Sequence, residues 1–371
     1  MQYRPLGKTG RTVSALSFGA MRLPPDDAEA VRIMRRAIDL GVNYLDTAPG
    51  YSEGRSERLL GEAVKPYDRS SLTLSTKNPI RDASGEGFRQ RLENSLKEMG
   101  LDYIDVYHMW GIRWETYENV ITQPGGPLEA ARQAKEEGLI RHLAFSFHGA
   151  PEDLARLAET GNYESCTVQY NVLDRRNEPG IARAHELGMG VVIMGPVGGG
   201  RLAEPSPAIQ ALIPGGAKSS AEVALRFVLA NPNVSCAISG MSAMEQVEEN
   251  IATASRAEPM GDDERRRVAE MLEENQRLAD LYCTGCDYCK PCEQGVDIGA
   301  NFRLMNYMRI YGLEDHARRE YARLSEQGKG ADACSRCGEC EPKCPQSISI
   351  MDQLEEVAAA LGGEKTETSP P

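Results

Sequence analysis

The sequence predicts a closed barrel of eight alternating strands and helices, followed by a small helical domain built around cysteines. Three observations carry this expectation. From the start to about residue 275, short apolar runs alternate with amphipathic stretches, giving about eight strand–helix units. No G-x-G-x-x-G opens the chain, so the fingerprint of the open, doubly wound sheet is missing. Eight of the ten cysteines fall between Cys283 and Cys344. The expected division of the 371 residues is a (β/α)8 barrel over 1–275, a cysteine-rich domain over 276–361 and a disordered tail over 362–371.

The elements follow in order. Val13–Phe18 (V-S-A-L-S-F) reads as a strand and Asp27–Leu40 as a helix, with Tyr44–Asp46 a strand end. Glu57–Val64 reads as a helix, Leu72–Lys77 as a strand, Gly87–Met99 as a helix and Ile104–Met109 as a strand. Leu92, Leu96 and Met99 share one face of that helix. Leu128–Glu137, Pro151–Glu159 and Ile181–Leu187 read as helices between the strands His142–Phe147, Cys166–Tyr170 and Val191–Met194. Ser220–Ala230 (helix), Val234–Ser239 (strand) and Met244–Ala252 (helix) complete the barrel, and Asp263–Leu281 reads as a linking helix.

Chemistry in such a barrel sits at the C-terminal ends of the strands. Asp46 ends a strand in Y-L-D-T-A, and Tyr51 follows in the loop. Lys77 ends L-T-L-S-T-K and His108 ends I-D-V-Y-H. Four ionisable residues from three consecutive strand ends form one convergent candidate site. Each has a plainer reading alone: Asp46 as a helix cap, His108 as a structural histidine, Lys77 as a surface lysine.

This spacing resembles the catalytic tetrad of the aldo-keto reductases. L-G-K-T-G-R-T-V-S-A-L-S-F-G, G-V-N-Y-L-D-T-A, Y-S-E-G-R-S-E-R-L-L-G, E-E-G-L-I-R-H-L-A-F-S-F-H, V-Q-Y-N and E-Q-V-E-E-N-I resemble that family along the whole barrel. The cysteine-rich end resembles the branch in which a helical domain with two four-iron clusters follows the barrel. The resemblance implies an oxidoreductase acting on a small carbonyl or alcohol with NADP(H) or NAD(H). The chemistry fits: Tyr51 would donate the proton, Lys77 would lower its pKa, Asp46 would hold Lys77, and His108 would hydrogen-bond the carbonyl oxygen.

The resemblance also implies the cofactor contacts. Ser146 would bind the carboxamide, and Gln169 stands near it. The family's asparagine and glutamine are replaced by Phe147 and Thr167. The loop Gly195, Pro196, Val197, Gly198 and Arg201 would approach the pyrophosphate, with a merely flexible loop as the alternative. Gly240, Met241, Ser242, Gln246 and Asn250 would hold the adenosine end at a helix N-terminus. Ala243 and Met244 stand where NADP-preferring members carry a basic residue, so NAD stays open.

The cysteines form two clusters: Cys283, Cys286, Cys289 and Cys292, then Cys334, Cys337, Cys340 and Cys344. The second, C-S-R-C-G-E-C-E-P-K-C-P, is the C-x2-C-x2-C-x3-C-P run that holds iron–sulfur clusters in bacterial ferredoxins. Two [4Fe-4S] clusters are expected. On the crossed pattern, one takes Cys283, Cys286, Cys289 and Cys344, the other Cys334, Cys337, Cys340 and Cys292. The first motif departs from the pattern, because its proline precedes Cys292. Zinc is the alternative, and Cys166 and Cys236 read as core residues. The segment between the motifs has helical spacing, with Phe302, Met305, Met308 and Ile310 apolar, and a shorter helix, Ile350–Leu361, closes the domain.

A net charge of −13 argues against nucleic acid and anionic membranes as partners. No apolar run reaches the roughly 18 residues of a membrane span. No signal-like apolar segment is seen at M-Q-Y-R-P-L-G, and a reducing cytoplasm suits such clusters, so a cytoplasmic protein is expected. A ferredoxin or another redox protein is the expected macromolecular partner. Hydride transfer moves two electrons and a cubane one; a flavin normally bridges the two, and no flavin motif is recognisable. The alternatives are a plain reductase with structural or sensory clusters, or an electron-transfer module without catalysis. Met21, Arg22, Trp110, Trp114 and His148 are candidate pocket residues.

Overall fold

The computed structural model describes residues 1–198, 202, 207–210, 217–256, 260–261, 265–270, 283, 289–344 and 348–362. The expected tail beyond Gly362 and most of the expected helix Asp263–Leu281 lie outside these residues. Two compact units are present. Met1–Gly200 with Ala224–Asp262 forms the first, and Arg201–Val223 with Asp263–Pro371 the second. Arg201–Val223 groups with the second unit.

The first unit opens with a hairpin, β1 (Tyr3–Pro5) antiparallel to β2 (Thr12–Ser14). Eight parallel strands then close a barrel: β3 (Leu16–Gly19), β4 (Tyr44–Asp46), β5 (Thr73–Pro79), β6 (Ile104–Ile112), β7 (Ile140–Phe147), β8 (Ser165–Gln169), β9 (Gly190–Met194) and β10 (Cys236–Gly240), with β10 pairing both β9 and β3. The expected strand Val13–Phe18 is two strands. At Ala15 the chain changes partner: its N–H donates to Gln2 O in the hairpin side and its carbonyl accepts from Ala237 N in the barrel. No glycine or proline stands at Ala15 to mark the switch.

The surrounding helices are α1 (Asp27–Asp39), α2 (Ser56–Val64), α3 (Gly85–Met99), α4 (Pro127–Glu136), α5 (Pro151–Glu159), α6 (Glu178–Glu186), α7 (Ser220–Leu229) and α8 (Met244–Ala254). Asp26 caps α1 through Glu29 N, and Ser84 caps α3 through Gly87 N, each satisfying an N–H without an intrahelical partner. α3 stops at Gly100, whose φ of 64° suits glycine. Leu6 and Val13 from the hairpin pack with Tyr44, Val106, Ala144, Val192, Cys236 and Ile238 in one buried cluster, closing the N-terminal end of the barrel. Cys166 and Cys236 are fully buried, and burial raises both thiol pKa values.

Gly61 lets α2 meet α3. A Cβ there would lie 2.1 Å from the backbone oxygen of Met99. Gly61→Ala is therefore expected to destabilise the fold by about 1–3 kcal/mol despite alanine's better helix propensity. A urea melt checks this, and an unchanged midpoint would contradict it.

The second unit contains α9 (Ile298–Tyr311), α10 (Glu314–Glu326) and α11 (Ile350–Leu361). Asp297 caps α9 through Ala300 N, and Gly312, at φ 63°, ends it. Phe302, Met305, Tyr321, Leu354 and Val357 are buried there. Buried Asn301 donates to the carbonyls of Asp297 and Lys329 and accepts from Ala331 N, tying the start of α9 to the approach to Cys334.

Candidate active site and cysteine centre

Asp46 is the last residue of β4, whereas β5 and β6 run on past Lys77 and His108. Lys77 and His108 are register partners, as are Asp46 and Ser75, so the sheet itself sets the side chains together. All three of Asp46, Lys77 and His108 are buried. Lys77 Nζ donates to Asp46 Oδ2 at 2.6 Å and to Thr47 O at 2.8 Å, while Ser75 Oγ donates to Asp46 Oδ1 at 2.7 Å. Tyr51, half-buried, brings its ring to 4.7 Å from Lys77 Nζ, within reach of the ammonium's field. Trp110 stands edge-on to the Tyr51 ring at 5.6 Å.

Tyr51 starts a single turn, Tyr51–Gly54, in which Ser52 (φ 49°) and Glu53 (φ 59°) are left-handed. Non-glycine residues adopt this conformation only when the surroundings hold them. Ser52 Oγ supplies the hold: it accepts from Leu23 N and donates toward the carbonyls of Ala20 and Met21. Ser52 was not legible as a site residue, since serine carries no left-handed signal.

Burial drives the Tyr51 pKa up, the Lys77 ammonium opposes it, and the net shift is upward. Lys77 thus acts in the expected direction, but burial outweighs it. Burial alone would lower the Lys77 pKa, but Asp46 and Tyr51 raise it above the ordinary value. The result is a phenol facing a cation whose charge is balanced by Asp46. Burial, aided by Lys77, takes His108 down to about 4. Its ring lies between Thr76 O (3.3 Å from Nδ1) and Thr167 Oγ1 (2.9 Å from Nε2). Behind it, Thr76 Oγ1 donates to buried Glu57 at 2.7 Å, and burial raises the Glu57 pKa.

Keeping His108 neutral contributes to stability with a definite sign. Its folded pKa lies below the unfolded value near 6.5, so the contribution is complete above pH 6.5 and is lost as pH falls toward 4. The expected size is about 3 kcal/mol. Denaturant melts between pH 7.5 and 4.5 should fall more steeply for the unmutated chain than for His108→Gln; parallel curves would contradict the assignment.

The expected cofactor residues form a second group. Ser146 is buried, and its Oγ accepts from Gly111 N at 2.7 Å. Gln169 packs its amide against Gly195, where a Cβ would lie 2.6 Å from Oε1. Gly195 and Gly198 both have positive φ and bound the turn through Pro196 and Val197; Gly198 N donates to Gly195 O at 2.9 Å. Arg201 lies outside the described residues. Helix α8 follows Gly240, Met241 and Ser242, and its Ala243 cap supplies no side-chain acceptor. Gln246 Oε1 accepts from Ser242 N at 2.8 Å, and Asn250 Nδ2 donates to Ser239 Oγ at 3.3 Å. Gly198 N and Ser242 N already bond within the chain, and the first turn of α8, which no side chain caps, is the part of this group that suits a dinucleotide phosphate.

In the second unit, Cys289, Cys292, Cys334, Cys337 and Cys340 line one cavity with Ile298, Met351 and Leu354 among its apolar walls. The thiols ring this cavity without closing on a single point among the described residues. Arg336, left-handed at φ 55°, bonds Asp352 (2.6 Å) and Glu355 (2.8 Å), which fastens the loop between Cys334 and Cys337 to α11. This thiol-rich, apolar-backed cradle fits an iron–sulfur cluster. Cys283 is half-exposed, Cys344 lies outside the lining of this cavity, and Cys286 is outside the described residues.

No helix among the described residues is long and apolar enough to cross a membrane. Residues 15–273 match the Aldo/keto reductase family, and residues 282–349 match the 4Fe-4S dicluster domain. The uncharacterized oxidoreductase YqkF of Bacillus subtilis is 32% identical, over 69% of this chain and 92% of its own length. The L-galactose dehydrogenase of Arabidopsis thaliana is 29% identical, over 71% of this chain and 91% of its own. The holo aldo-keto reductase AKR11C1 from Bacillus halodurans superimposes with a TM-score of 0.65 at 31% identity, covering 73% of this chain and 96% of the other. The closed barrel and the family match agree: this chain belongs to the aldo/keto reductase family, as an oxidoreductase that also carries a 4Fe-4S dicluster domain.

Proposed function

We propose that this protein interconverts a carbonyl group and an alcohol on a small molecule, with Tyr51 as proton donor and acceptor, and that its cysteines hold two [4Fe-4S] clusters that exchange electrons with a ferredoxin-like protein. The buried Lys77–Asp46 pair facing the Tyr51 ring carries the reading of the barrel. A bound NADP(H) or NAD(H) supplies or accepts the hydride. Ser146 and Gln169 stand for its carboxamide end, the turn Gly195–Gly198 for the pyrophosphate, and Ser242 with the start of α8 for the adenosine phosphate.

In reduction, hydride reaches the carbonyl carbon while the Tyr51 O–H gives its proton to the oxygen. Lys77 faces the phenolate left behind, so the charge that develops on Tyr51 meets a cation already in place. Asp46 and Ser75 keep that cation from moving. Tyr51 then regains a proton from solvent; oxidation runs the same steps backwards. The relative named an L-galactose dehydrogenase supports the alcohol side of this chemistry. The clusters move single electrons, and Cys292, Cys334, Cys337 and Cys340 would ligate one of them.

Tyr51→Phe tests the barrel assignment. It leaves the ring and its contact with Trp110 and removes the proton, so kcat is expected to fall by about 10²–10⁴ with folding unaltered. Undiminished reduction of an aldehyde would remove Tyr51 from the mechanism. Anaerobic titration with NADPH and then NADH, followed by cluster absorbance and EPR, tests the coupling. Bleaching supports electron sharing and selects the dinucleotide; clusters reduced only by dithionite favour a plain reductase.

A further inference from the structure

Near its C-terminal end, β6 carries one residue more than its neighbour β7. Met109 pairs with Phe145 and Ile112 with Phe147, so Trp110 and Gly111 together face Ser146. Such a bulge bends a strand and re-aims its side chains, often beside a reactive site. Gly111 takes the left-handed turn, at φ 64°, and its N–H donates to Ser146 Oγ at 2.7 Å. The Trp110 ring meets Tyr51 edge-on at 5.6 Å, and a Cβ on Gly111 would lie 3.9 Å from His148 Cδ2. The bulge thus stands between Tyr51 and His148.

Just past it the two strands leave the sheet side by side. Ile112 and Phe147 are register partners, and Arg113 and His148 follow them. This is the end of a barrel at which substrates bind. A Cβ on Gly149 would lie 3.7 Å from Arg113 Cγ, so the two side chains share one spot. Both residues are exposed, and neither side chain makes a hydrogen bond or an ion pair among the described residues. Arg156, which stacks on the adjacent Trp114 at 4.0 Å, is by contrast held by Asp153 at 3.0 Å. Desolvation, then the Arg113 guanidinium, lowers the His148 pKa, so the imidazole is neutral at pH 7. The pair therefore offers one positive charge and a neutral N–H donor.

We propose that Arg113 and His148 hold a carboxylate carried by the substrate, whose carbonyl meets Tyr51. The guanidinium presents two parallel N–H groups to the two carboxylate oxygens, and the imidazole adds a third donor. A single positive charge matches a carboxylate better than a doubly charged phosphate. Trp110, set between this pair and Tyr51, gives the carbon skeleton an apolar flank. The substrate class is then a small oxo acid, or a hydroxy acid in the oxidative direction. This rests on the carbonyl–alcohol reading above.

The test compares kcat/KM for 3- and 4-carboxybenzaldehyde, each against its neutral methyl ester, with NADPH or NADH at pH 7.5. At least one acid should exceed its ester by about 10–100-fold, mostly through KM. In Arg113→Met that ratio should fall to about one, in Arg113→Glu below one, and Arg113→Lys should keep part of it. His148→Ala should reduce the ratio more than His148→Gln, which retains an N–H. Because each ratio is taken within one variant, a general loss of folded protein cancels. Acids and esters reduced alike by the unmutated chain, or a preference that survives Arg113→Met, would overturn the proposal. A chain that binds the dinucleotide and reduces neither acid nor ester overturns the carbonyl–alcohol reading and this site together. One that reduces both without preference overturns this site alone.

Discussion

Replacing Lys77 with methionine is expected to cost this protein both its activity and much of its stability. The ammonium makes two hydrogen bonds, to Asp46 Oδ2 and Thr47 O, in a site from which water is excluded. Methionine fills similar volume but leaves the Asp46 carboxylate buried with Ser75 as its remaining hydrogen-bond donor. Stranding one member of a buried ion pair costs about 3–5 kcal/mol. Loss of the cation that faces the Tyr51 phenolate should lower kcat/KM by about 10³ or more. A second substitution separates the two effects. Asp46→Asn added to Lys77→Met removes the stranded charge, so the urea midpoint should recover while kcat/KM stays low. Recovery of both, or of neither, would show that the pair does not divide its work in this way.

The second large effect concerns the cysteines. Cys337→Ser removes one thiol from the cavity that it shares with Cys292, Cys334 and Cys340. Iron content is expected to fall from about eight to about four atoms per chain. Because ligand binding and folding are coupled in metal-bearing domains, amide exchange in α9 to α11 should also accelerate. Their apolar core is modest, and Arg336 fastens the loop that carries Cys334 and Cys337 to α11. Iron quantification with hydrogen exchange checks both points. A chain that holds zinc in place of iron, or whose iron is unchanged in Cys337→Ser, would refute the assignment.

Much of this arrangement was legible in the amino-acid order because barrels concentrate polar residues where strands end. Asp46, Lys77 and His108 each bring an ionisable side chain to the close of a short strand-like run, and a residue so placed is visible locally. The expected eight strand–helix units are present for the same reason: each strand is short and bounded. The break at Ala15 was not visible, since no glycine or proline marks it and only the partners of the two strands differ. Thr167 was legible as a departure from the family's glutamine, but not as the partner of His108. That contact spans two strand pairings, and register between strands leaves no trace in local periodicity. The net direction of the Tyr51 shift was not legible for a similar reason. Counting neighbouring charges identified Lys77, but the opposing effect was burial, which belongs to the packed barrel and to no single residue.

The hairpin at the start of the chain has a kinetic meaning as well as a structural one. With Leu6 and Val13 seated among the inward side chains of the barrel, its N-terminal end is sealed. A barrel filled in this way is a core and not a channel, so whatever meets Tyr51 arrives from the C-terminal ends of the strands. Departure from that same face is then a step at which turnover can be limited.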